Sequence, residues 1–101
     1  MLMLLMALTR LAGGEISGDI RSGDQYLADV TVKLACGTET VEAKTDKSGS
    51  FRLRSKEAGK CKLTVTWKDQ SPSLDVVVFE QPAKYRLVVE TVNGKLVLKR
   101  V

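Results

Sequence analysis

Histidine is missing from this chain, and that gap removes a good deal of chemistry. A Ser-His-Asp or Cys-His nucleophile arrangement needs an imidazole as its base, and His-containing zinc sites go with it. Cysteine occurs twice. Two thiolates cannot close a structural zinc site, and Cys36 and Cys61 stand too far apart for a Cys-x-x-Cys redox motif. No Ala/Leu/Glu/Lys tract signals a helix, and no apolar run approaches the ~18–20 residues a spanning helix needs. Strong charge imbalance is lacking too. Lys and Arg outnumber Asp and Glu by 16 to 12, a formal net charge of +4. Along the chain these cations are interleaved with acids, which speaks against a nucleic-acid partner.

What is present is enough for one domain: 101 residues, 44% hydrophobic and 28% charged. Residues 1–13 are a different material from the rest. Met1 to Leu8 is wholly apolar, Thr9-Arg10 follows, and Ala12-Gly13-Gly14 suits a cleavage site. This resembles the apolar region of an export signal, although no basic residue precedes it. The other reading is a hydrophobic helix or strand that packs on the domain at 14–101.

From Glu15 onward, apolar residues recur with a period of two, the signature of half-buried strands. Ile16, Gly18 and Ile20 share one face, and so do Val30, Val32, Leu34 and Cys36. Val41 and Ala43 make a weaker strand. Cys61, Leu63, Val65 and Trp67 alternate with Lys62, Thr64 and Thr66. Leu74 to Glu80 is apolar on both faces around Val76–Phe79, which predicts a strand buried on both sides or one that covers an interface. Asn93-Gly94 predicts a two-residue hairpin between Tyr85–Val92 and Lys95–Val101. Seven or eight short strands punctuated by turns predict an all-β, antiparallel sandwich, transthyretin-like or immunoglobulin-like.

The densest local signal is Thr45-Asp46-Lys47-Ser48-Gly49-Ser50-Phe51-Arg52-Leu53. Asp46 can accept backbone N–H groups at the start of a turn, and Gly49 can supply a positive φ. Phe51 and Leu53 then face inward while Arg52 and Arg54 face out. Asp46, Ser48 and Gly49 faintly suggest a calcium loop, but the second and third acids and the late glutamate are missing. A structural turn at Asp46, Gly49 and Phe51 is the better reading.

With Ile16-Ser17-Gly18, the run Leu27 to Leu34, and Gly59-x-Cys61-x-Leu63-x-Val65, this turn resembles the carboxypeptidase regulatory-like domains, which have a transthyretin-like (prealbumin-like) β-sandwich. The likeness covers residues 14 to 67. It departs at Tyr26, where many members carry proline, and at Cys61, where many carry an aromatic residue. The resemblance implies a non-catalytic accessory module, often exported, that stands alone or is attached to enzymes and surface proteins. Hydrolases of the same fold rely on histidines that this chain does not have.

Cys36 and Cys61 are each in phase with an inward-facing set. If their strands are neighbours across the core, a disulfide can form and brace the turn between them, worth about 3 kcal/mol in the chain-entropy estimate. The even cysteine count, the candidate signal and the resemblance point to the bond; two buried thiols in a reducing compartment is the other reading. Trp67 is in phase with the core. Tyr26, beside a polar loop, is the best exposed aromatic for a ligand contact. Asp29, Asp46, Asp69 and Asp75 fall at expected strand ends or turns, where acids serve structure. The expectation is therefore a periplasmic or secreted module without catalytic residues, cofactor or metal, acting in stability or protein interaction. A carbohydrate-binding module using Tyr26 is the alternative. Nucleic acid and a stable membrane span are not expected.

Overall fold

The computed structural model describes residues 14–101; the apolar segment read as an export signal lies outside the described residues. Nine strands form two packed sheets, and no helix occurs among the described residues. The strands are β1 (Gly14–Ser22), β2 (Gln25–Tyr26), β3 (Thr31–Cys36), β4 (Glu39–Lys44), β5 (Ser50–Ser55), β6 (Gly59–Thr66), β7 (Ser73–Val78), β8 (Ala83–Val92) and β9 (Lys95–Arg100). Sheet one runs β9-β8-β1, with β5 and then β2 along the far side of β1. Sheet two runs β4-β3-β6-β7. The expected all-β sandwich is present, and it includes β2 as a strand of only two residues.

Period-two patterning decides which side chains meet between the sheets. Ile16 and Ile20 of β1, Val32 and Leu34 of β3, Leu63 and Val65 of β6, and Leu87 of β8 are all essentially inaccessible to solvent. Each fully buried aliphatic side chain of this kind contributes roughly 1.5–3 kcal/mol. Phe51 and Leu53 join them from β5.

All but one of the strand pairs are antiparallel. The exception is β1–β8, parallel from Ile16↔Ala83 to Arg21↔Val88. Local periodicity is blind to this, because strand direction follows from how the chain returns to sheet one after β7. At Gly18 the two strands approach so closely that an added Cβ would run into the Tyr85 carbonyl oxygen.

Of the two readings of the doubly apolar segment, the first is excluded. The Leu74–Phe79 segment is not buried on both sides: β7 is the edge strand of sheet two and pairs only with β6. Val76 and Val78 point into the core, while Val77 is 36% and Phe79 58% exposed. The strand stops at Val78, so Phe79 and Glu80 already belong to the crossing toward β8.

Candidate functional site

The conspicuous turn is a structural corner. Asp46 Oδ1 accepts the N–H groups of Ser48 at 2.9 Å and Ser50 at 3.0 Å, and the Asp46 carbonyl accepts Gly49 N–H at 3.0 Å. Gly49 has φ +74°, and a Cβ there would lie 2.8 Å from the Ile20 carbonyl oxygen and 3.0 Å from Tyr26 Cβ. The Gly49 carbonyl in turn accepts Ile20 N–H at 2.9 Å. Gly49 therefore answers two demands: a left-handed backbone and a close approach to β1. Phe51, two residues on, is buried in the core.

The residue before this turn does more than its place in the motif suggested. Thr45 is buried, and all its polar groups are used. Its Oγ1 donates to the Leu27 carbonyl at 2.6 Å and accepts Val30 N–H at 2.9 Å. Its own N–H donates to the Val30 carbonyl, and its carbonyl accepts Asp29 N–H. The Leu27–Val30 segment, with Asp29 at φ 59°, is thereby pinned to the corner where the chain passes from sheet two to sheet one. Only the order of residues around Thr45 hinted at this.

Cys36 and Cys61 form a disulfide, with Cα atoms 4.5 Å apart. The bond does not cross the core. It joins β3 and β6, adjacent strands of sheet two, one step beyond the Ala35↔Lys62 pair. The loop it closes contains β4, the Asp46 turn and β5, so the bond does brace the corner. At the opposite end of β4, Glu39 accepts Lys56 N–H at 2.8 Å and lies 2.9 Å from Ser55 Oγ. The Lys56 backbone donor, followed by the Ser55 hydroxyl, holds the Glu39 carboxyl below its ordinary value. That shift keeps the group ionised, the opposite of what a general acid at neutral pH requires.

The aromatic residues do not gather into one platform. Tyr85 is buried, with the Arg100 guanidinium 4.0 Å above its ring. Trp67 packs against the core, and Lys68 Nζ lies 4.5 Å over its ring. Tyr26 is 50% exposed. Lys68 and Asp69, at φ 53° and 62°, make a second tight hairpin turn closed by mutual Trp67–Gln70 backbone bonds. Its sequence carries neither Gly nor Asn, which is why only Asn93-Gly94 was legible as such a turn. Asp75 lies inside β7, where it pairs with Lys62, and not at a strand end.

The margin formed by β7 and β9 is assembled differently from the corner. The Tyr85 hydroxyl reaches from sheet one to the edge of sheet two, where it accepts Val77 N–H at 3.2 Å and donates to the Val77 carbonyl at 3.3 Å. The Gln70 side-chain amide does the same for sheet one: its Oε1 accepts Leu96 N–H at 2.8 Å and its Nε2 donates to the Gly94 carbonyl at 3.3 Å. Beside these two plugs, Val77 and Phe79 border a shallow groove with Ala58, Gly59 and Gln81. Lys60 stands directly across from Val77 on β6.

Among the described residues, no group of three or more His, Cys, Asp or Glu side chains gathers as a metal site, and no helix is long and apolar enough to cross a membrane. A scan against protein-family models and a search of curated proteins found no match to the chain.

Proposed function

We propose that this chain is an exported, non-catalytic module of the carboxypeptidase regulatory-like kind, and that it docks a protein partner along the β7 margin. The observation that carries the reading is the pairing of Val77 and Phe79, two exposed apolar side chains beside an unpaired sheet edge. An unpaired edge is a template for strand addition, and neighbouring exposed apolar side chains rimmed by polar ones suit a protein contact. The matching partner surface presents an apolar anchor for the groove beside Phe79 and a carboxylate toward Lys60, which among the described residues forms no ion pair. The disulfide is consistent with an oxidising compartment, and it supports the export part of the proposal together with the sequence of residues 1–13.

The test is site-specific photo-crosslinking in the native compartment, with the reactive group at Lys60 or, as a control, at Glu42 on the opposite edge strand. A single adduct from position 60, lost on Phe79→Ser and absent from position 42, is expected. Equal adducts from both positions would end this reading.

Carbohydrate binding is a second reading, favoured by the exposed ring of Tyr26 beside Arg21 in the β1–β2 pair. Tyr26→Ala should then abolish a glycan-array signal that the wild type gives.

A further inference from the structure

Cations that alternate with acids along the chain are re-sorted by the strand register. Among the described residues every arginine belongs to a strand of sheet one: Arg21 on β1, Arg52 and Arg54 on β5, Arg86 on β8 and Arg100 on β9. All but Arg100, which covers Tyr85, stand on the outer face of that sheet, since Ile16, Ile20, Phe51, Leu53 and Leu87 occupy the inner one. The register sets them in rows across the strands. Arg54 lies beside Glu15; Arg52 and Lys84 flank Ser17; Arg86 lies beside Asp19; Arg21 pairs with Val88, which Lys99 flanks on the other side. Lys95 adds a further cation at the hairpin end.

Against these stand three carboxylates, Glu15, Asp19 and Glu90. Glu15 is shared between two guanidinia, 2.9 Å from Arg54 Nη2 and 3.7 Å from Arg52 Nε, and Glu90 holds Lys99 at 2.9 Å. Among the described residues Lys84, Arg86 and Arg21 form no ion pair. Over the rest of the described chain acids slightly outnumber cations, so the larger positive excess lies on this face. The other outer face presents Lys33, Lys44, Lys60 and Lys62 next to Glu42 and Asp75, a smaller cationic excess that contains no guanidinium, among threonines.

We infer that the outer face of sheet one binds an acidic polysaccharide, one bearing sulfate or carboxylate groups. Guanidinium groups recognise both anions through paired, parallel N–H donors, which an ammonium cannot do. Successive rows on one face of a strand are about 7 Å apart. A chain lying along the strands therefore meets a cation in each of three consecutive rows, beginning between Arg52 and Lys84, where the Ser17 hydroxyl offers a further donor. Tyr26, next to Arg21, gives a sugar ring a surface to rest on at the end of that track. A nucleic acid is a poorer fit, since Tyr26 is the lone exposed aromatic on the face and single strands bind by repeated stacking. A bilayer is poorer still, because Val88 is buried and only Tyr26 and Val92, at the margins, are exposed and apolar enough to insert. The inference rests on the carbohydrate reading above and narrows it to acidic polymers. It does not involve the β7 margin, which belongs to the other sheet.

The experiment measures binding of the full chain to a heparin fragment and to polygalacturonate at physiological salt. A phosphatidylserine vesicle and a single-stranded oligonucleotide are the competing ligands. Two double variants remove equal charge from opposite faces: Lys84→Gln with Arg86→Gln, and Lys33→Gln with Lys62→Gln. All four positions are exposed, so both proteins should fold, and circular dichroism checks this. The expected result is glycan binding that the first pair weakens about tenfold and the second less than about twofold, with steep salt dependence. Equal losses from the two pairs would show net charge alone at work and overturn the inference. So would vesicles or oligonucleotide bound as tightly as the glycans. Binding of neutral glycans alone, dependent on Tyr26, would refute the acidic face while leaving the carbohydrate reading intact.

Discussion

The two open sides of the sandwich are closed in opposite ways. On one side the chain itself passes from β4 to β5, and main-chain groups, the buried Thr45 hydroxyl and the Glu39 carboxylate tie the two sheets. On the other side no chain segment links β7 to β9, and the gap is spanned by the Tyr85 phenol and the Gln70 amide. The first side is a closed corner whose loop is locked by the Cys36–Cys61 bond. The second leaves a sheet edge with Val77 and Phe79 facing solvent. Stability is concentrated on one side and opportunity for contact on the other.

Breaking the closed side should cost most. Replacing both cysteines by alanine removes the closure of the β4–β5 loop and should lower unfolding stability by about 2–5 kcal/mol in urea titrations. Thr45→Val comes next. It strands the Leu27 carbonyl and Val30 N–H in a buried site, and an expected loss of about 2 kcal/mol is readable by the same titration. The open side should respond less. Tyr85→Phe leaves the Val77 groups at an exposed edge where water can replace the phenol, so the loss should stay near 0.5–1.5 kcal/mol.

The smallest effect is a pH-dependent one. Glu39 has a folded-state pKa below its ordinary 4.5, so its carboxylate stabilises the fold above that value and ceases to do so as pH falls through the depressed pKa. The stability difference between wild type and Glu39→Gln should therefore be present near neutral pH and vanish in acid. A difference that grows on acidification would contradict the role given to Glu39.

Much of the closed side was legible in the sequence. Asp46 and Gly49 announce a turn by their chemistry, and Phe51 and Leu53 announce a strand by their phase, because both signals are local. The disulfide was legible as a pair, but not as a bond within one sheet, since strand order is a non-local property. Thr45 was quoted for its place in the motif, yet its buried bonds to Leu27 and Val30 depend on a loop fifteen or more residues away. The open side was left between two readings for the same reason. Val76–Val77–Val78–Phe79 is apolar throughout, and only the sheet order shows that one of its faces meets solvent. The arginine face was invisible along the chain, where Arg21, Arg52, Arg54 and Arg86 each have acids within a few residues. The register between β1, β5 and β8 is what gathers the cations.

Native-state amide hydrogen exchange tests the contrast between the two sides most directly. The N–H groups of Val30, Thr45 and Asp29 should exchange only through global unfolding, while those of Val77 and Leu96, held by single side-chain acceptors at an edge, should exchange through local openings and much faster. Val77 and Leu96 amides as slow as those of Thr45 and Val30 would contradict the account: the β7 margin would then be as firmly closed as the corner.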